Sequence, residues 1–144
     1  MYARSSPASQ AALFTSAVTF AEVRFGIEQI IDLVRRADVV HWFDRNLRPL
    51  FAGCVLAVTE DALLRWRLML EAGRKAGHTF SEPDLLIAAL AVLADLIVAS
   101  RETSEFIAAG VPVFDPRRWT LQAGGEPIRF PTRIWRIRWP MRPS

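Results

Sequence analysis

The stretch from Ser81 to Glu102 most constrains what this chain can fold into. It reads Ser81-Glu82-Pro83-Asp84-Leu85-Leu86-Ile87-Ala88-Ala89-Leu90 and runs on into Leu96-Ile97-Val98-Ala99-Ser100-Arg101-Glu102. Ser81 is suited to an N-cap, and Pro83 falls in the first turn, where a missing N–H costs nothing. Asp84 falls in the same turn, where the helix dipole favours negative charge. Leu85, Leu86, Ala89, Val92 and Leu93 recur at helical spacing, which predicts a helix burying one face. Leu96 to Ala99 holds no polar residue and is short enough for a fully buried strand. Glu102 follows at that strand's carboxyl end, the edge on which open α/β sheets build their sites.

The rest of the chain alternates in the same way. Leu13-Phe14-Thr15 reads as a short strand leading to Ser16 or Thr19 as a cap. The helix expected next carries Val18, Ala21, Phe25, Ile30, Ile31 and Val34 along one side, with Glu22 in its first turns and Asp32 in its middle. A second helix is expected from Asp38 to Leu50, with Val39, Trp42, Phe43 and Leu47 inward, stopped by Pro49 and Gly53. Cys54 to Val58 reads as a strand. Thr59 caps a helix whose inward stripe is Ala62, Leu63, Trp66, Met69, Leu70 and Gly73, and Gly77 lies past its end. A short helix near Glu105–Ala109 and an edge strand at Val111–Phe114 follow. Strands alternating with helices predict an α/β fold, a parallel sheet with helices on both faces.

Composition narrows the function. A chain of 144 residues suits one domain with a real core, and 51% hydrophobic with 23% charged residues is globular rather than disordered. The longest apolar run, Leu85 to Ala99, is broken by Asp95 and is too short to span a bilayer. No basic-then-apolar leader opens the chain, so a cytoplasmic product and no membrane partner are expected. Cys54 stands alone, and with only His41 and His78 there is no zinc spacing. Residues 1–116 carry 11 Lys/Arg against 14 Asp/Glu, whereas residues 117–144 carry seven Arg against Glu126 alone. The high pI therefore belongs to the tail.

Four segments, in order, resemble the PIN domain, and within it the VapC-type toxins of toxin–antitoxin pairs. They are Ser16-Ala17-Val18-Thr19-Phe20-Ala21-Glu22-Val23-Arg24-Phe25-Gly26-Ile27-Glu28, Pro83-Asp84-Leu85-Leu86-Ile87-Ala88-Ala89, Ala99-Ser100-Arg101-Glu102-Thr103-Ser104-Glu105-Phe106 and Gly110-Val111-Pro112-Val113-Phe114-Asp115-Pro116. The resemblance implies a three-layer α/β/α fold with a short, mostly parallel sheet over 13–116, a flexible segment over 1–12 and a basic extension over 117–144. It implies an Mg²⁺- or Mn²⁺-dependent endoribonuclease acting on structured RNA such as tRNA, its metal held by carboxylates because hard cations prefer oxygen donors. A homodimer and a VapB-type antitoxin partner are implied with it. Glu22, Asp84 and Glu102 match the family's catalytic acids, Glu105 a further acid of the metal site, and Ser100 a supporting hydroxyl. Read singly, each has a plainer account: Asp84 is a first-turn acid, and Glu22, Glu102 and Glu105 are solvated side chains.

One part of the family pattern is absent. The family opens on a strand ending in an aspartate, and here no aspartate precedes Asp32. The usual first strand is therefore expected to be missing, and the alternative to an active ribonuclease is a truncated, catalytically impaired copy that acts only in dimer or antitoxin binding. Arg133-Ile134-Trp135-Arg136-Ile137-Arg138-Trp139 alternates like a strand and could fill that place, unless another chain does or the tail stays mobile. Arg133, Trp135, Arg136 and Arg138 are equally the candidates for an RNA-contacting arm, against the plain alternative of a basic tail without a site.

Overall fold

A computed structural model describes residues 2–4 and 13–129 of the chain. Its strands are β1 (Tyr2–Arg4), β2 (Leu13–Ser16), β3 (Val55–Leu56), β4 (Leu96–Ala99), β5 (Val113–Asp115), β6 (Thr120–Gln122) and β7 (Ile128–Arg129). Its helices are α1 (Ala17–Glu28), α2 (Leu33–Trp42), α3 (Arg48–Leu50), α4 (Glu60–Lys75), α5 (Glu82–Leu93) and α6 (Ser104–Ala108), with a π-helical turn at Phe43–Leu47 between α2 and α3. The strands form one sheet in the order β3-β2-β1-β4-β5-β6-β7.

β2 pairs in parallel with β3, and β4 with β5. β1 lies between these two pairs and runs antiparallel to both β2 and β4. It follows that β2, β3, β4 and β5 all point one way and share a carboxyl edge. The sequence predicts a missing first strand and a flexible segment over 1–12; instead Tyr2–Arg4 occupy the middle of the sheet. The direction has a covalent reason. Only residues 5–12 link β1 to β2, too few for the crossover that a parallel neighbour needs but enough for a hairpin. Backbone pairing is indifferent to side-chain polarity, so a segment without an apolar pattern can fill a central place. Arg133–Trp139, the other candidate for that place, lie outside the described residues.

The main core gathers Ala88, Leu90 and Ala91 of α5, Leu96 and Val98 of β4, and Phe106, Val111 and Val113. α5 packs against α4, α1, β4 and α6. A smaller core joins Phe20, Ile27, Phe43 and Phe51, with the Phe20 and Phe43 rings edge to face at 5.4 Å. Arg48 covers it, its guanidinium 4.5 Å from the Phe43 ring centre.

The helical expectation breaks down at one place. Continuous helix through Asp32 is replaced by two helices, because Asp32 caps α2: its Oδ1 accepts the N–H of Val34 at 2.9 Å and of Arg35 at 3.1 Å. Within α1 it is Phe20 and Ile27 that are buried while Phe25 faces solvent, and at the break Ile31 and Val34 are exposed. The π-helical turn shifts the phase again, turning Phe43 inward and leaving Trp42 half out. Pro49 lies inside α3 rather than ending a helix. In α4, Leu63 is exposed although Ala62 and Gly73 are buried. Of the strand expected over Cys54–Val58, only Val55–Leu56 pair. Val111–Phe114 were expected at the sheet's edge, yet β6 pairs with β5 and β7 with β6, so the extension continues the sheet.

Candidate functional site

The carboxyl edge is assembled by short connections. Ser16 ends β2 and caps α1, its Oγ accepting the Thr19 N–H at 3.1 Å while itself fully buried. α1 therefore starts at the edge, and Glu22 lies in its second turn with an exposed side chain. α5 precedes β4 with only Ala94 and Asp95 between them, Asp95 taking the left-handed conformation (φ 52°) that makes so tight a reversal possible. A helix that runs back along its strand begins where the strand ends. The half-buried Asp84, in the first turn of α5, thus lies at the edge that β4 reaches at Ala99.

Beyond β4 the backbone is shaped by Ser100. Its Oγ donates to the Glu102 carbonyl at 3.1 Å and accepts the Glu102 N–H at 3.2 Å. This closes a small loop that leaves the Glu102 side chain exposed. Ser100 thus fixes the backbone of Glu102.

Glu105 reaches the entry to α5. Its Oε2 accepts the Ser81 N–H at 3.2 Å, and its Oε1 lies 3.9 Å from His78 Nε2. Ser81 occupies the N-cap position of α5, but its own side chain makes no capping bond. The carboxylate of Glu105 on α6 takes over part of that work, satisfying a donor at the entry to α5. His78 packs edge-on to Phe80 at 4.3 Å in the same connection. Sequence reading missed this pairing, since no local spacing links His78 or Ser81 to a residue on a later helix.

The three acids are carried by elements that open on one edge. Among the described residues, however, no group of three or more His, Cys, Asp or Glu side chains is gathered closely enough to hold a metal ion. The strand in the middle adds nothing, because Tyr2, Ala3 and Arg4 include no acid. The oxygen donors present suit a hard cation in type, but they fall short of a complete centre. Arg133, Trp135, Arg136 and Arg138 lie outside the described residues.

A short α/β sheet with acids from α1, α5 and the β4 exit on its carboxyl edge is the arrangement of a PIN domain, and the PIN-domain family model matches residues 2–110. The chain belongs to that family. It is similar to the VapC ribonuclease Y4jK of Sinorhizobium fredii (strain NBRC 101917 / NGR234), at 34% identity over 72% of this chain and 74% of the relative. It is also similar to Toxin FitB of Neisseria gonorrhoeae (strain ATCC 700825 / FA 1090), at 31% identity over 72% of this chain and 75% of that protein. Among solved structures, FitAcB from Neisseria gonorrhoeae superposes with a TM-score of 0.70 at 30% identity, covering 74% of this chain and 76% of that one. VapBC-5 of Mycobacterium tuberculosis, from the VapBC family of toxin–antitoxin systems, gives 0.53 at 26% identity, covering 66% and 71%. The kinship supports a toxin of the PIN class and a nuclease family. No helix among the described residues is long and apolar enough to cross a membrane.

Proposed function

We propose that this chain is a VapC-like toxin, an endoribonuclease directed at structured RNA such as tRNA and neutralised by a VapB-type antitoxin. The observation that supports it is the shared carboxyl edge, on which the start of α1, the start of α5 and the exit of β4 meet. Glu22, Asp84 and Glu102 are the acids to which cleavage is assigned, with Mg²⁺ or Mn²⁺ as the cation their oxygens suit. Exposed apolar side chains at the α1–α2 turn support a protein partner: Phe25 is 63%, Ile31 93%, Leu33 72% and Val34 74% exposed. A homodimer and a cytoplasmic setting belong to the same reading.

A second reading is favoured by one observation, the lack of an acid on the middle strand together with the incomplete ligand group. In it the chain is a catalytically impaired remnant that still dimerises or holds its antitoxin. One assay separates the two: incubation of bulk tRNA with the purified chain in Mg²⁺, in EDTA, and with Asp84→Ala. Cleavage that needs the metal and is lost in the variant upholds the ribonuclease. Co-elution with an antitoxin without any cleavage upholds the remnant.

A further inference from the structure

We infer that the turn joining β5 to β6, together with Arg101, is a phosphate-binding rim that takes the ribose–phosphate backbone of RNA beside the acids. It rests on the RNA-directed reading above and adds the residues that would hold the substrate.

The placement follows from register. Val98 pairs with Val113 and Ala99 with Phe114, and Ser100 N–H donates to the Phe114 carbonyl at 3.0 Å. β4 and β5 therefore end side by side, and the turn of residues 116–119 lies next to Arg101 and Glu102. The turn is built rather than loose. Asp115, 8% exposed, accepts the N–H of Arg117 at 2.8 Å and of Arg118 at 3.3 Å, which commits its carboxylate to the backbone. The Arg118 guanidinium, 83% exposed, lies 3.8 Å from the other Asp115 oxygen. Arg101 and Arg117 are exposed, with no ion-pair partner recorded among the described residues.

Trp119 adds the second element. It holds φ at 52°, a left-handed conformation that a bulky residue rarely adopts. Its ring lies edge-on to Phe114 at 5.6 Å and is only partly buried. Glycine would occupy this backbone position without strain. A partly exposed indole held there, directly after two arginines, has the make-up of a stacking platform for bases. Charge gives the rim its purpose: Glu22, Asp84 and Glu102 repel a polyanion, and the guanidinium groups of Arg101 beyond β4 and of Arg117 and Arg118 beyond β5 offset them. The turn lies beyond residues 2–110, which the family model matches.

The test is fluorescence anisotropy of fluorescein-labelled bulk tRNA, in EDTA so that nothing is cleaved, over a series of KCl concentrations. The triple variant Arg101→Ala, Arg117→Ala, Arg118→Ala should lower the slope of log affinity against log salt by about two, at about 0.7 per phosphate contact. Trp119→Gly should keep or raise the melting temperature yet weaken binding about fivefold or more. Equal slopes for wild type and triple variant overturn the inference and leave the RNA-directed reading standing. Absence of tRNA binding by the wild type overturns both. Loss of antitoxin co-elution with tRNA binding intact would make the turn a protein-binding surface and overturn the inference as well.

Discussion

Gly73→Ala sets two well-understood effects against each other. Gly73 lies inside α4, where alanine is worth about 1 kcal/mol more than glycine in helix propensity. A Cβ built there, however, falls 2.4 Å from Phe80 Cε2, 2.8 Å from Phe80 Cδ2 and 3.3 Å from the His78 carbonyl oxygen. Carbon atoms rest at about 3.5–4.0 Å, so the Phe80 ring must move by about 1 Å. It has little room, being 8% exposed and packed against His78. Overpacking of this kind costs about 1–3 kcal/mol. Set against the propensity gain, the net loss is about 0–2 kcal/mol, or a fall in melting temperature of up to about 8 °C for a chain of this size. Urea unfolding of the four proteins in a double-mutant cycle with Phe80→Ala is the assay. In the Phe80→Ala background the same glycine replacement should become neutral or stabilising. If Gly73→Ala stabilises the protein that keeps Phe80, the steric argument is wrong.

Other substitutions probe the elements around the site. Leu85→Ala removes a side chain only 1% exposed at the base of α5, and denaturant unfolding should show a loss of about 3 kcal/mol. Ser16→Ala leaves the Thr19 N–H without its acceptor, with an expected loss of about 1–2 kcal/mol in the same measurement. Glu105→Ala should cost about 1 kcal/mol by freeing the Ser81 N–H, whereas Glu105→Gln, which keeps an acceptor oxygen, should retain most of the stability. Amide hydrogen exchange at Ser81 would rise in the alanine variant and change little in the glutamine one.

Elements whose signals are local were legible from the residues alone. Thr59 does cap α4, its Oγ1 accepting the Ala62 N–H at 3.2 Å, and Leu96–Ala99 do form a buried strand of the sheet. Asp32 misled because the apolar spacing on its two sides is compatible with one long helix; only the bonds of its carboxylate reveal a boundary. The acids of the edge were nameable because each follows a local motif, yet their relative position depends on packing that no spacing encodes. Glu105 shows the limit: its bond to the Ser81 N–H, 24 residues away, follows from no spacing in the sequence. β1 was illegible for a different reason. Its place is determined by the backbone groups of β2 and β4, not by any pattern among Tyr2, Ala3 and Arg4.

That reversed middle strand also bears on how the protein is made. Tyr2–Arg4 leave the ribosome ahead of their neighbour β2, which follows closely, but β4 is not complete until Ala99. At about 5–20 residues per second, the interval is about 5–20 s. For that time a hairpin waits with one flank open, exposed to any extended segment of another nascent chain. A cell that slows translation lengthens this wait, and misassembly rather than thermodynamic stability then governs the yield of folded protein.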